Sequence, residues 1–408
     1  MILPRFISDT ISKIESFGFS AYAVGGCVRD SIMKKTPSDW DLTTSALPQD
    51  ILKIFADHKT LTNGLRHGTV TVFQNGIPIE ITTFRIDGEY SDNRHPSHVC
   101  FSDKLSDDLK RRDFTVNAMA FNPKQGITDL FGGMGDINAK TIRAVGNPVH
   151  RFTEDALRIM RAIRFSAVLG FGIEPQTTKA IFECKGLLAN IARERITDEF
   201  TKTLTADSPS KILREYFAVT ADIFFADLYA SAQASPDFEA MNHVARQLTH
   251  RLTVYLCCSA SALDVAPHVL AKKFFSNMKF STAVSSETKA LVNLVTSELP
   301  AQRIPLRKIA ANSGISNLHS ALCIKNALEP HNKDLNLAKQ IAEDIRACND
   351  CCNIQSLSIN GSDLIEEFGL SGKEVGKALQ ELLLAVIEEK CENKKDALLS
   401  YYKSTSYL

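Results

Sequence analysis

The 408-residue chain contains no apolar run approaching the ~20 residues that a membrane-spanning helix requires. Its opening residues, MILPRFISDT, lack the basic segment and the following apolar stretch of a secretory signal, so export is not expected. Ten cysteines over this length are too sparse for a disulfide scaffold and read as the reduced thiols of a cytoplasmic protein. Net charge is missing as well. The 47 Lys and Arg residues balance 47 Asp and Glu residues, so any polyanion would have to be held by a local patch. Internal repeats and low-complexity tracts are absent. The composition, 44% hydrophobic and 23% charged, is that of a globular protein and excludes disorder, collagen and a coiled-coil rod.

Residues 1–145 alternate short β-like runs with glycine-bearing turns. Ala21–Val24 precedes Gly25-Gly26. Thr69–Phe73 and Ile79–Phe84 alternate apolar and polar residues as half-buried strands do, and Asn75-Gly76 between them is a hairpin signal. Val116–Phe121 and Thr141–Val145 are two further expected strands. Asp87–Ser106 is polar, contains Pro96 and reads as a mobile loop. After Pro148 the pattern becomes helical. Helices are expected at Thr153–Leu169, Pro175–Ala189, Ile196–Leu204, Pro209–Ala218, Pro267–Phe275, Ser286–Ser297, Pro305–Ala311, Asp334–Cys348 and Lys373–Glu389. The fold class is therefore α+β, a small mixed-sheet head followed by a long all-α region.

Four constellations carry chemistry. In the first, Gly25-Gly26 ends a strand and would let backbone approach a phosphate, with Arg29 close behind; most such pairs are only turns. Asp39-Trp40-Asp41 follows. If a strand begins at Asp39, the two carboxylates share a face, an arrangement suited to a hard divalent cation; otherwise Asp39 caps a solvated turn after Pro37-Ser38. Glu80, on the second alternating run, would complete such a site if its strand lies beside the aspartates, and would otherwise face outward. In the second constellation, Arg111-Arg112 precede a strand and can clamp a triphosphate, while Asp113 and Asn117 could hold a ribose hydroxyl; the alternative is a surface ion pair between Arg112 and Asp113. The third, Asp129–Asp136, carries Gly132, Gly133 and Gly135 and reads as a tight structural turn.

The fourth constellation is Glu154-Asp155 followed by Arg158, Arg161 and Arg164. On one helix Asp155 and Arg158 would be neighbours, with Thr153 as N-cap and Glu154–Arg158 as an i,i+4 pair. Six basic residues from Lys140 to Arg164 face two acidic ones, a basic stripe in a neutral chain. Asp accepts and Arg donates. Together they match the amino group and ring nitrogen of cytosine or adenine, and they leave uracil and guanine with mismatched polar groups.

In this order the constellations resemble the class II nucleotidyltransferases, and specifically the CCA-adding tRNA nucleotidyltransferases. The matching stretches are AVGGCVRD, DWDLTTSA, RHGTVTVF, IEITTFRIDGEYSDNRHP, DLKRRDFTVNAMAFNP, DLFGGMGDI, FTEDALRIMRAIRF and ARERITDEF. The resemblance implies a head (1–145), a neck (146–207), a body (208–285) and a tRNA-binding tail (286–408). It implies Mg²⁺ at Asp39 and Asp41 and nucleotide contacts from Gly26, Arg29, Arg112, Asp155, Arg158, Arg161 and Arg164, with CTP, ATP and the tRNA 3′ end as substrates. Arg66–Val70 is similar to the CCA branch of the family rather than to the poly(A) polymerases. Arg85–Pro96 looks intact, unlike the altered loop of enzymes that add only the two C residues, and the Asp87–Ser106 loop is expected to reposition the site between C and A addition. No His-Asp dipeptide occurs, which argues against a fused metal phosphohydrolase domain.

Competing readings are a partial CC- or A-adding enzyme, a poly(A) polymerase, and an RNA-binding protein with an inactive head, which the retained Asp39/Asp41 pair argues against. Cys348, Cys351 and Cys352 lack a second ligand pair and read as idle thiols rather than a zinc site. Lys272-Lys273, Arg303, Arg307-Lys308 and Lys373/Lys377 are candidate tRNA contacts, each with a solvated helix face as its alternative.

Overall fold

The β-like runs of the amino-terminal region assemble into a seven-stranded sheet in a computed structural model that describes residues 1–88, 99–229 and 235–405. The chain divides into two units, Met1–Ala226 and Asp227–Leu408. In the first, the elements run α1 (Arg5–Ser16), β1 (Ala21–Val24), α2 (Gly26–Ile32), β2 (Asp41–Thr44), α3 (Pro48–Ile54), β3 (Thr60–Leu61), β4 (Thr69–Gln74), β5 (Ile77–Thr83), β6 (Arg85–Asp87), β7 (Val99–Phe101), α4 (Leu105–Lys110), β8 (Met119–Asn122), β9 (Gly126–Asp129), α5 (Gly133–Asn138), α6 (Pro148–Glu154), α7 (Leu157–Leu169), α8 (Pro175–Cys184) and α9 (Arg193–Leu204). Helices Ser210–Glu215 and Phe217–Tyr229 follow.

The sheet order is β3-β4-β5-β2-β1-β8-β9. Within this sheet, among the described residues, only β2 and β5 pair in parallel, with Asp41 opposite Glu80. Val70 and Val72 of β4 and Ile79 and Ile81 of β5 are fully buried, while Glu80 between the latter two is exposed, as period-two alternation requires. Asn75 and Gly76 both adopt positive φ, 51° and 80°, and close the β4–β5 hairpin with Gln74 opposite Ile77.

Several expectations are corrected. Val116–Phe121 is not one strand, because Thr115–Asn117 forms a 3₁₀ turn and β8 starts at Met119. Polar side chains hold that turn: Thr115 donates to Asp136 (2.6 Å) and Asn117 to Asp113 (3.2 Å). Thr141–Val145 contributes only the short strand Thr141–Ile142, paired in parallel with Gly172–Ile173, and a bridge from Ala144 to Phe114. The expected loop Asp87–Ser106 is entered and left through the antiparallel β6–β7 ribbon and reaches α4 at Leu105; its middle, 89–98, lies outside the described residues, and so does the repositioning role expected of it. The expected helix Thr153–Leu169 is two helices broken at Asp155, whose backbone is extended (φ −134°, ψ 101°). Thr153 is not the N-cap. Asn147 caps α6 by accepting from His150 N–H, with Pro148 in the first turn, and Gly170 (φ 70°) ends α7.

The second unit is all helical among its described residues, with helices at Leu248–Ala262, Pro267–Asn277, Thr282–Thr296, Arg303–Ser313, Ile315–Leu328, Lys333–Ala347, Gly361–Phe368, Lys373–Ile387 and Lys395–Thr405, plus short 3₁₀ turns. Of Leu248–Ala262 only Cys257-Cys258 reads from the sequence as helix core. The helix is buried on nearly every face from Thr249 to Leu256, which erases the polar stripe that marks a surface helix. Several basic residues expected on solvated faces hold the unit together instead. Arg303 forms a two-pronged pair with Asp350 (2.8 and 2.9 Å), and buried Arg307 donates to the carbonyls of Val386 and Ile387 at the end of a helix. Lys308 pairs with Glu388 (2.5 Å) and Lys273 with Asp227 (2.6 Å), leaving Lys272, Lys373 and Lys377 exposed. No single helix among the described residues is long and apolar enough to cross a membrane.

The glycine turn read as structural gives a test of packing. A Cβ on Gly133 would lie 2.4 Å from Thr115 O and 2.9 Å from Met119, whereas one on Gly135 meets nothing within 4 Å. Gly133→Ala should lower stability by about 1–3 kcal/mol, seen as a lower Tm of the full chain, and Gly135→Ala should leave it unchanged or raise it.

Candidate functional site

One polar cleft of about 860 Å³ in the first unit is lined by Asp39 and Asp41 and by all ten residues expected to touch a nucleotide: Gly25, Gly26, Arg29, Arg112, Asp113, Asn117, Asp155, Arg158, Arg161 and Arg164. Glu80 does not line it but stands beside Asp41 through the β2–β5 register. A larger cavity of about 1070 Å³ in the second unit carries Cys257 and Cys258, whose thiols burial pushes up to about 12, so they stay protonated.

The acidic end of the cleft comes from the start of β2. Asp41 opens that strand and Asp39 precedes it, so strand alternation does not place Asp39; its carboxylate accepts from Ser38 (2.7 Å). The three carboxylates nevertheless act on one another. Asp41 is raised to about 6, first by the protein crowding it and then by the charges of Glu80 and Asp39, with Arg112 opposing. Asp41 and Asp39 keep contact with solvent, so repulsion and partial desolvation act together. Among the described residues no three His, Cys, Asp or Glu side chains are gathered as a ready metal site.

The basic wall is built from arginines, each held by an acidic partner, some close in sequence and some on another element. Asp108, fully buried on α4, binds Arg111 through one oxygen (2.7 and 3.0 Å) and Arg112 through the other (3.0 Å). Arg112 therefore does not pair with Asp113 on the surface. Gly25, at φ 82°, makes room for it, since a Cβ there would sit 2.9 Å from Arg112 Nη1. Arg29 donates to Asn117 (2.6 Å) and to Asp30 (2.9 Å). Burial would raise Asp113, but Arg161 (2.5 and 2.8 Å) and Asn117 hold it down at about 2. Arg164 pairs with Glu199 of α9 (2.5 Å). Asp113 and Asn117 are thus already engaged with arginines.

The break between α6 and α7 changes how Asp155 and Arg158 relate. Asp155 accepts from Leu157 N–H (3.1 Å) just before α7, and its other oxygen lies 3.6 Å from Arg195 of α9. Arg158 turns to Glu154 (2.7 Å) and donates to the carbonyls of Arg151 (3.1 Å) and Arg111 (3.0 Å). Each member of the expected base-reading pair is therefore oriented by its own partner and not by the other. Asp108, Arg195, Glu199 and Phe165 were missed as site components. Asp108 was legible, standing three and four residues before two arginines on a short helix. Arg195 and Glu199 act from a separate helix, which spacing does not reveal.

Residues 21–143 match the poly A polymerase head domain, 170–219 the probable RNA and SrmB-binding site of polymerase A, and 254–402 a putative tRNA nucleotidyltransferase domain 2. The chain is 34% identical to a CCA-adding enzyme of Leuconostoc mesenteroides, over 98% of this chain and 97% of that one. It is 36% identical to a CCA-adding enzyme of Streptococcus suis, over 96% and 94%. Among solved structures, the Bacillus stearothermophilus CCA-adding enzyme in complex with CTP superposes with a TM-score of 0.79 at 29% identity, covering 100% of this chain and 98% of that one. The Thermotoga maritima CCA-adding enzyme complexed with tRNA shares the fold, with a TM-score of 0.72 at 21% identity, covering 99% and 96%.

Without a divalent cation, Asp41 should titrate near 6 by carboxyl carbon NMR, and Glu80→Gln should move its midpoint downward by removing a repelling charge. Its folded pKa lies above the ordinary 3.8, so the stability it contributes is present below that value and lost as pH rises through about 6. Asp41→Asn should therefore raise Tm at neutral pH and change it little below about pH 4.

Proposed function

The chain belongs to the CCA-adding enzyme family, and we propose from that premise that it adds C, C and A without a template to the 3′ end of tRNA, using CTP and ATP and releasing pyrophosphate. The observation that carries this reading is the single cleft in which the paired aspartates and the arginine wall face one another. The tRNA 3′ hydroxyl attacks the α-phosphorus of the nucleotide in line, and the bond to the β-phosphate breaks.

The donor set fits Mg²⁺. Asp39, Asp41 and Glu80 offer only carboxylate oxygens, and the repulsion that raises Asp41 is what a hard cation would relieve. When bound, Mg²⁺ activates the attacking hydroxyl and neutralises charge on the leaving phosphate. The chain's own residues do the rest. Arg29 and Arg112 hold the triphosphate, with Arg112 kept in place by Asp108. Asp155 presents an acceptor and Arg158 a donor to the base edge. Arg161 and Arg164 stabilise the wall behind them. Their fixed positions supply preorganised donors that need no rearrangement at the moment of reaction.

Head (1–145) and neck (146–207) would provide this chemistry, and body (208–285) and tail (286–408) would grip the tRNA, with exposed Lys272, Lys373 and Lys377 as phosphate contacts. Such an enzyme would work in the cytoplasm.

Three outcomes test the reading. A tRNA lacking its terminal triplet, incubated with CTP and ATP, should gain C-C-A on sequencing; a product ending at C-C, or a run of A, overturns full CCA addition. Asp39→Ala and Asp41→Ala should abolish incorporation and leave tRNA binding intact. Asp155→Asn keeps an acceptor for Leu157 N–H but adds an N–H donor, so discrimination against UTP should fall by about 10–100-fold, the scale of one base-edge contact; unchanged selectivity would remove Asp155 from base reading.

A further inference from the structure

Three arginines of the cleft surround one aromatic ring. The guanidinium carbons of Arg29, Arg161 and Arg164 lie 5.4, 5.3 and 4.0 Å from the centroid of Phe165. Arg29 arrives from α2, and the other two from the same helix as the ring. Phe165 borders the cleft but is only 7% exposed, and its position is set from behind by an edge-to-face contact with Phe114 (5.8 Å, 79°).

Each arginine also has a polar partner: Asn117 and Asp30 for Arg29, Asp113 for Arg161, Glu199 for Arg164. Those partners act through the N–H groups: Arg29 is held through Nε, Nη1 and Nη2, and Glu199 reaches Arg161 (4.0 Å) as well as Arg164. The ring adds a separate hold shared by all three guanidinium groups, because its electron-rich π system attracts cations within about 6 Å. A leucine of similar bulk would fill the same apolar position on α7 without that attraction.

We propose that Phe165 is a positioning residue for nucleotide binding, its ring holding Arg29, Arg161 and Arg164 in the arrangement that receives the nucleotide. The proposal rests on the reading of this cleft as the nucleotide site. Phe165 need not touch the substrate; it acts through the three guanidinium groups.

The test replaces Phe165 in the full chain with mono-, di- and trifluorophenylalanine, which keep the shape of the ring and weaken its attraction for cations stepwise. The Kd for CTP and the KM for CTP and ATP should rise in the same steps, reaching about tenfold for the trifluoro ring, with the change falling on KM more than on kcat. A Kd that stays flat across the series overturns the role of Phe165 while leaving the cleft's assignment intact. Failure of the unsubstituted chain to bind CTP overturns the assignment and this role with it. Phe165→Tyr and Phe165→Leu provide the second arm, each checked for folding by its melting curve. Tyr should preserve CTP affinity and Leu should lose it; a folded Leu variant that binds CTP as the parent does contradicts the proposal.

Discussion

A wall of arginines can stand in one cleft only because buried carboxylates hold it there. Asp108 is fully buried and Asp113 and Glu199 nearly so. Burying such a charge is costly unless it is paired and hydrogen-bonded, and deleting one partner leaves the other stranded. The acids come from α4, from the turn before β8 and from α9, while the arginines come from α2, α7 and the end of α4. The Asp113–Arg161 and Glu199–Arg164 pairs are therefore also ties between elements, while Asp108 braces Arg111 and Arg112 at the end of its own helix. The sheet and the helices that follow it are locked around the cleft by the same contacts that aim its donors.

The other end of the cleft obeys the opposite constraint. Burial first, and then the charges of Glu80 and Asp39, raise Asp41 to about 6. Parallel pairing of β2 with β5 supplies the larger of the two charge effects by setting Asp41 opposite Glu80. A site short of positive charge thus faces a wall rich in it. In the proposed function, the arginines would hold the phosphates of a nucleoside triphosphate and the acids would hold its divalent cation. Arg112 links the two ends, since it is bound to Asp108 and also lowers Asp41.

Much of this was legible in the chain. The Asn75-Gly76 hairpin follows from residues that tolerate positive φ, and the stop of α7 from Gly170. The α+β division follows from the change of hydrophobic period near Pro148. The aspartate pair and the arginine series identified the cleft's components. What remained hidden was non-local. The β2–β5 neighbour relation depends on topology, which alternation alone does not specify. The break at Asp155 goes with bonds from Arg158 to Arg151 O and, from farther along the chain, to Arg111 O, in a local sequence that suits an unbroken helix. Arg303 and Arg307 were read as surface charges because Asp350 and the helix-end carbonyls that bind them are distant in sequence.

The most direct measurement is a crystal structure of the full chain with CTP bound. The account predicts the β- and γ-phosphates on Arg29 and Arg112, the α-phosphate beside Asp39 and Asp41, and the cytosine with its amino group toward Asp155 and its ring nitrogen toward Arg158. A triphosphate seated away from the arginine wall, or a cytosine edge that meets neither Asp155 nor Arg158, would contradict it.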